Sequence, residues 1–313
     1  MRALLLVNPT ATTTTKRTRD VLIRALGAAV DLSVEETGYR GHAAALAGTA
    51  REKGFDVVAV LGGDGTINEA VNGLLAEDRT APADRPALMV IPGGSANVFA
   101  RALGLPNNAV EATGVVLEAL REGRRRMVGL GLAAGAEGER YFTFCAGVGY
   151  DAEVVRAVEA LRGAGRRAGP VLYAATAVRH YFLTDRRVPA LRLERPGQRA
   201  EDGIFMAIVS NTAPWTYAGS LPLNPTPWAG FDTGLDLLAL KRMGLPTMAR
   251  VLPQVVRQRD TLLRGRHLVQ AHDEEEFTLI AKRPIAFQID GDYLGERERV
   301  TFRSVPNALP VIA

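Results

Sequence analysis

One cysteine, Cys145, stands in 313 residues, inside the apolar run YFTFCAGV. That scarcity excludes a disulfide framework and a cysteine-based zinc site, and the thiol is expected to be buried. Long apolar runs are missing too: no stretch approaches the roughly 20 residues needed to span a bilayer. The opening MRALLLV is cut off by Asn8-Pro9 and is too short for a secretory signal. The expectation is a cytoplasmic protein, with any membrane contact peripheral and at the inner face. Histidine is scarce, and His42, His180, His267 and His272 show no metal-ligand spacing, so each is expected to be structural. Several catalytic signatures are absent: there is no G-x-x-x-x-G-K-[ST] loop, no protein-kinase H-R-D or D-F-G set, and no G-x-S-x-G elbow.

Neither charge sign dominates. Against 34 acidic residues stand 38 Lys and Arg, for a net charge of +4. The basic residues gather at Arg124-Arg125-Arg126, over residues 162–167 and over residues 257–267. Solvated faces account for most such runs. A surface for anionic lipid is the sharper reading. No nucleic-acid motif accompanies the charge, so no nucleic-acid partner is expected.

What is present is an ordinary globular composition, 47% hydrophobic and 23% charged, in a chain long enough for two domains. The first third alternates strand and helix. Strands are expected over residues 3–7, 32–35, 56–61 and 87–91. Helices are expected over residues 18–29, after TGYRGHA, over residues 66–75, and from about residue 95. This βα alternation predicts a parallel sheet. After Arg126 the pattern changes. MVGLGLAAGAEGERYFTFCAGVG reads as two strands around a Gly-rich turn, and RVPALRLERPGQ, DGIFMAIVS, LDLLALKRM, EFTLIA, PIAFQID and RVTFRS read as further strands. Helices interrupt near residues 151–161, 171–183 and 247–263, and the Pro-rich residues 214–227 read as a long ordered loop. The fold class expected is α/β: an N-terminal α/β domain over 1–126, completed by 304–313, and a C-terminal β-sandwich domain over 127–303.

The run VVAVLGGDGTINEAVNGLL carries the sharpest local signal. A Val-rich strand meets Gly62-Gly63-Asp64-Gly65-Thr66 and turns at once into a helix. Glycine allows close approach to the backbone. A Gly turn that feeds a helix N-terminus aims N–H groups at an anion such as phosphate. A bare carboxylate repels phosphate unless a cation, most naturally Mg²⁺, sits between them. Alternatively Asp64 is only a turn or cap residue, and the local pattern leaves both readings open. GVGYDA matches G-x-G-x-x-A, but it stands in the β-rich half with no following βαβ unit, so a dinucleotide fold is not expected there.

Further motifs stand in order along the chain: Asn8-Pro9-Thr10, Thr37 opening TGYRGHA, Gly62 to Asn68, PGGSANVFAR, GVGYDA, and IDGDYLG with Asp290-Gly291-Asp292. Together they resemble the diacylglycerol kinase catalytic domain of bacterial lipid kinases, a family that includes sphingosine kinases. The resemblance covers nearly the whole chain, and PGGSANVFAR is its most discriminating piece. It implies ATP bound in a cleft between an α/β domain and a β-sandwich. It places Asn8, Pro9 and Thr10 at the phosphates, Thr37 beside the nucleotide, and Gly62, Gly63, Asp64, Gly65, Thr66 and Asn68 around the phosphates. Ser95 takes the second loop's Ser/Thr position, and Asp290 and Gly291 fall in the nucleotide-binding set. Asp64 would organise Mg²⁺ through water, and Asp292 would be the general base, with the reverse assignment open. The acceptor implied is a membrane lipid, most naturally diacylglycerol, and a homodimer is left open.

Three departures from the family pattern stand out. Asp290-Gly291-Asp292 replaces D-G-E, which shortens the last carboxylate's reach by about one C–C bond, roughly 1.5 Å. Asp232-Thr233-Gly234 replaces an Asp-Asp-Gly metal motif, which puts a structural metal at Asp232 and Asp236 in doubt. The second loop reads Gly93-Gly94-Ser95, with Val98 at a usually acidic position. Two rival readings remain. NAD kinase shares G-G-D-G-T, but its second loop should carry T-P-x-G-S-T, which PGGSANVFAR does not. A non-catalytic lipid- or nucleotide-binding protein would explain the departures at Asp292 and Thr233.

Overall fold

A computed structural model describes residues 1–11, 13, 15–76, 82–164, 169–183, 189–257 and 261–313. Parts of five sequence readings lie outside the described residues: Thr12 and Thr14 of the Thr-rich loop, Arg166 and Arg167 of the second Arg cluster, the first two residues of RVPALRLERPGQ, and residues 258–260 of both the third cluster and the last helix. The chain forms two compact units, residues 1–129 with 307–313, and residues 130–306.

The first unit contains β1 (Arg2–Val7), α1 (Lys16–Gly27), β2 (Asp31–Glu36), α2 (His42–Gly48), β3 (Val57–Gly62), α3 (Asp64–Leu74), β4 (Ala87–Pro92), α4 (Val98–Ala102) and α5 (Ala109–Glu122). Every residue of β3 and β4 is buried. Such unbroken apolar runs fit parallel strands covered on both faces. The sheet order is β2-β1-β3-β4, all parallel, and Val311 and Ile312 extend it beyond β4. The chain steps from β1 out to β2, then returns to the other side of β1 for β3. The switch point of the sheet therefore lies between β1 and β3, where open α/β sheets form a crevice beyond the strand ends.

The helices are bounded by local chemistry. Thr15 caps α1 by accepting from the Thr18 amide, and Asn108 caps α5 by accepting from Val110 and Glu111. Gly123 ends α5 in the left-handed region at φ 66°. α2 packs closely on α3 because Gly73 has no side chain: a Cβ there would stand 2.2 Å from the Ala44 carbonyl oxygen. The helix expected from residue 95 starts instead at Val98, because Asn97 takes a left-handed conformation at φ 49°.

The second unit is β-rich. It holds β5 (Arg126–Gly135, which leads in from the first unit), β6 (Gly138–Phe142), β7 (Cys145–Gly149), α6 (Tyr150–Gly163), α7 (Pro170–Leu183), β8 (Leu191–Glu194), β9 (Glu201–Ile204), β10 (Met206–Ser210), β11 (Thr216–Ala218), β12 (Leu221–Leu223), β13 (Leu235–Leu240), α8 (Leu245–Val256), β14 (Leu268–Glu274), β15 (Glu276–Ile289) and β16 (Asp292–Ile312). Antiparallel pairing runs β14-β13-β10-β7-β15, and the other half of β15 pairs with β8. EFTLIA and PIAFQID, expected as two strands, are one strand whose register with β16 shifts between Ile280 and Ile285. On its other side the same strand pairs with β8 before the irregularity and with β7 after it. MVGLGLAAGAEGERYFTFCAGVG gives three strands rather than two, and the Pro-rich loop contains the short β11-β12 hairpin. α8 ends at Val256, short of the expected residue 263.

Alternation along the central strands sorts the packing. Ala207 and Val209 of β10, with Leu237 and Ala239 of β13, enter the main core with Phe277, Phe287 and Phe302. Met206, Ile208 and Leu240 face the other way and meet Tyr181, Met243 and Met248. α7 and α8 thus cover the outer face of the same two strands.

Candidate active site

The switch point is stitched together by side chains. The Asn8 amide donates to the Leu61 carbonyl at 3.0 Å, which joins the end of β1 to β3. Asn8 Nδ2 donates to Thr66 Oγ1 at 2.9 Å, which ties the strand end to the first turn of α3. Asn8 Oδ1 accepts from the Thr10 amide at 2.9 Å and from Thr10 Oγ1 at 2.7 Å. This is an Asx turn, closed by a polar residue where the apolar strand stops. Asn8, Thr10 and Thr66 are therefore one hydrogen-bonded group, and Pro9 lies within its turn.

The two Gly loops meet backbone to backbone. The Gly93 amide donates to the Gly62 carbonyl at 2.8 Å. A Cβ on Gly94 would stand 2.7 Å from Gly63 Cα, and one on Gly93 would stand 3.2 Å from Gly62 Cα. The glycines are needed here for closeness. Asn97 folds the second loop over itself: its Oδ1 accepts from the Gly94 amide, and its Nδ2 donates to the Gly94 carbonyl and to Asn107 Oδ1, each at 2.8 Å. Gly94→Ala is expected to push the loops apart at Gly63. Turnover at this site should fall at least about tenfold, because misplacement of about 1 Å can cost 10²-fold, with a stability loss of about 1–3 kcal/mol from overpacking. Kinetics and a denaturant melt check this, and parent values in both would show that the contact yields freely.

Asp64 opens α3 and reaches across to the second loop. Its Oδ1 accepts from the Phe99 amide at 3.2 Å, near the start of α4. Asn97, at the N-cap of α4, makes no side-chain bond to that helix's amides, so Asp64 supplies the missing acceptor from another helix. The cap reading of the sequence is thus realised, though for α4 rather than α3. The same bond fixes the direction of the carboxylate. Asn8, Thr10 and Thr66 bring amide and hydroxyl oxygens to the switch point and Asp64 brings a carboxylate, all hard oxygen donors of the kind that suits Mg²⁺ with its water shell. The glycine contacts keep the floor beside them free of Cβ atoms. The residues fit a hydrated divalent cation beside phosphate.

Thr37 lies at the same strand ends, its amide donating to the Val7 carbonyl at 2.9 Å. The loop after it is held by Glu69, a residue the sequence reading passed over. Glu69 accepts from the Gly41 amide at 2.7 Å and the Ala43 amide at 3.3 Å. Gly41, the N-cap of α2, has no side chain to do this. A carboxylate on α3 facing a glycine cap was the only available signal, and it is long-range. His42 accepts from the Gly38 amide and stacks on Tyr39 at 4.5 Å, a structural role as expected. Asn68 is buried in α3, where Asn72 Nδ2 donates to its carbonyl and its Oδ1. Ser95 stands in the turn before Asn97.

In the second unit, Asp290-Gly291 is a two-residue hairpin turn with φ 49° and 81°, and Ile289 pairs with Asp292 across it. Positive φ at both central residues matches a type I′ turn. The Asp290 carboxylate is buried and accepts from the Thr143, Phe144 and Cys145 amides and from Thr143 Oγ1, at 2.7–3.1 Å. Burial raises its pKa, and the four donors oppose the rise. These bonds make Asp290 the anchor between the turn and the start of β7. The Gly291 amide donates to Gln288 Oε1 at 2.9 Å, and that glycine also serves the turn. Asp292 begins β16, half-buried, directly after this anchored turn.

Asp151 was missed as an individual residue. Its carboxylate is buried and accepts from Gln288 Nε2 at 2.8 Å. A Cβ on Gly147 would stand 1.8 Å from Asp151 Oδ2, so the glycine of GVGYDA makes room for this carboxylate. Burial pushes the Asp151 pKa up to about 6 from 3.8, against the opposing hydrogen bond from Gln288. The folded chain therefore holds this proton more tightly than the unfolded chain. The stability it contributes is full below the unfolded pKa and is lost as pH rises through about 6. Asp151→Asn keeps an acceptor for Gln288 and removes the charge. It should be more stable than the parent near neutral pH by on the order of 3 kcal/mol, with the advantage gone below about pH 4. Thermal melts across that range test this, and a pH-independent difference would count against it.

The doubtful metal site does not assemble. Asp236 Oδ1 meets His272 Nδ1 at 2.7 Å and accepts from the Asp273 amide at 3.2 Å. Burial raises its pKa against those bonds. Thr233 closes its own loop onto Gly230. Among the described residues no group of three or more His, Cys, Asp or Glu side chains is placed to hold a metal ion. The Asp236 carboxylate is thus engaged by His272 and the Asp273 amide. Among the described residues no helix is long and apolar enough to cross a membrane.

Residues 2–133 match the family model of the diacylglycerol kinase catalytic domain. The chain is 30% identical to a diacylglycerol kinase of Bacillus subtilis (strain 168) over 308 residues, which covers 94% of this chain and 90% of that protein. A diacylglycerol kinase of Staphylococcus saprophyticus is 39% identical over 119 residues, 37% of each chain. Among solved structures, one described as a putative diacylglycerol kinase from Bacillus anthracis superposes with a TM-score of 0.75 at 22% identity, over 99% of this chain and 96% of that one, a likeness of fold.

Proposed function

The chain belongs to the diacylglycerol kinase family, and on that premise we propose that it is an ATP- and Mg²⁺-dependent lipid kinase that phosphorylates the hydroxyl of a membrane lipid, with diacylglycerol the favoured acceptor. The observation that carries the reading is the pair of Gly loops at the switch point, brought together by Gly63 and Gly94 with the Asp64 carboxylate held beside them. Phosphoryl transfer needs mainly positioning and charge neutralisation. Asn8, Thr10, Thr66 and the loop amides would orient the ATP phosphates, with Thr37 beside the nucleotide. When bound, Mg²⁺ neutralises charge on the transferred phosphate, and Asp64 would hold its water shell. Asp292 would take the proton from the acceptor hydroxyl. Glu69 and Asn97 would act through the loops they hold.

The acceptor's hydrophobicity places the reaction at a membrane surface, reached by peripheral contact from the cytoplasmic side. The test is transfer of label from γ-labelled ATP to a panel of dispersed lipid acceptors, with NAD as the soluble comparison. Label should appear in diacylglycerol and require divalent cation. Label in NAD alone, or in no acceptor, would overturn the reading.

A further inference from the structure

α6 ties down the chain on both sides of Asp292. Ile289 pairs with Asp292 across the turn, and Gln288 pairs with Tyr293 beyond it. Two-residue hairpins close on a hydrogen-bonded pair, and bonded and non-bonded pairs alternate from there. The Tyr293 amide therefore points away from β15 and needs another acceptor. Glu159 of α6 supplies it: its Oε1 accepts from that amide at 3.0 Å, across 134 residues of sequence. On the other side of Asp292, the Gly291 amide donates to Gln288 Oε1 at 2.9 Å, and Gln288 Nε2 donates to Asp151 Oδ2 at 2.8 Å. Asp151 stands in the first turn of the same helix. An ionised carboxylate only accepts, which turns Nε2 of the buried Gln288 toward Asp151 and leaves Oε1 for Gly291.

Both amides that flank Asp292 are thus held from α6, one directly by Glu159 and one through Gln288. Arg156 adds a looser contact, with its guanidinium 5.7 Å from the centre of the Tyr293 ring and 3.4 Å from Glu296. It is exposed, and surface pairs of that kind contribute little. Glu159 is half-buried and meets a backbone group, and a carboxylate on a backbone amide is among the stronger hydrogen bonds. We infer that Glu159 is a positioning residue for Asp292: by holding the Tyr293 amide it fixes the start of β16 and the direction of the Asp292 side chain. The inference rests on the reading of Asp292 as the general base of a lipid kinase. What it requires of Glu159 is reach, with the charge secondary.

The experiment measures kcat and the ATP KM with γ-labelled ATP and dispersed diacylglycerol, beside a thermal melt. The variants are Glu159→Gln, Glu159→Asp and Glu159→Ala, each alone and combined with Asp292→Asn. Gln keeps an acceptor at the same reach and should turn over like the parent. Asp keeps the charge but withdraws it by about one C–C bond, roughly 1.5 Å, and Ala removes it. Both should lower kcat about tenfold with the ATP KM unchanged, because misplacement of about 1 Å is costly at a reacting centre. With Asp292→Asn neither should lower kcat further, since a residue that acts through Asp292 has nothing left to position. Hydrogen exchange over residues 291–293 should quicken in the Asp and Ala variants and stay slow in the Gln variant. Parent kcat in folded Asp and Ala variants would overturn the inference. So would an equal fall in both backgrounds, or a Gln variant as slow as the Ala variant, which would give the role to charge. If the Ala variant does not fold, the Asp variant decides. Parent turnover in Asp292→Asn would remove the base reading and this inference together, whereas a parent that labels no acceptor would remove the kinase reading itself.

Discussion

Asp64→Asn is expected to lower phosphoryl transfer by about 10²–10³, the usual cost of losing one key electrostatic contact, while the fold stays intact. The structure sharpens this expectation. Asp64 Oδ1 accepts from the Phe99 amide, and an Asn Oδ1 can accept the same bond. The substitution therefore separates charge from capping. Asp64→Ala removes both, and should in addition lower stability by about 1 kcal/mol through the lost cap on α4. The measurement is turnover at saturating Mg²⁺ beside a denaturant melt for each variant. If the Asn variant turns over like the parent, the carboxylate is a cap for α4 and nothing more, and the metal role passes elsewhere.

Asp292→Asn should cost about 10²–10⁴ in turnover if Asp292 is the general base. Such a base must come within roughly 2.6–3.2 Å of the hydroxyl, or act through one water. The side chain is an Asp where the family has Glu, so either the backbone lies further in or a water completes the reach. The turn before it favours the second. Asp290 fixes the hairpin through four hydrogen bonds to residues 143–145, which leaves Asp292 little freedom to move inward. Asp292→Glu should then keep or raise activity, because the longer side chain replaces the water within an unchanged backbone. A lower rate in the Glu variant would mean that the site is built around the shorter side chain. Parent rates in both variants would leave Asp292 as a strand residue and hand the base role to another group.

How much of this was legible in the sequence depended on the distance over which each feature is encoded. β3 and β4 were readable because a parallel strand covered on both faces must be apolar throughout, and each is. The Gly loops were readable because a strand that turns within a few residues into a helix writes its glycines side by side. By itself the sequence determined the α/β half, the order of the motifs and the family resemblance.

The tertiary structure decided which partner each polar side chain takes. Periodicity records whether a position is buried, and it is silent about what the position touches. Asp64 meets Phe99 across 35 residues, and Asp290 meets Thr143 across 147. No local pattern could have said that the first carboxylate caps a neighbouring helix, or that the second anchors a turn. The sequence pattern of GVGYDA does not say that Gly147 makes room for the Asp151 carboxylate. EFTLIA and PIAFQID became one strand because pairing with β16, β8 and β7 overrode the interruption between them.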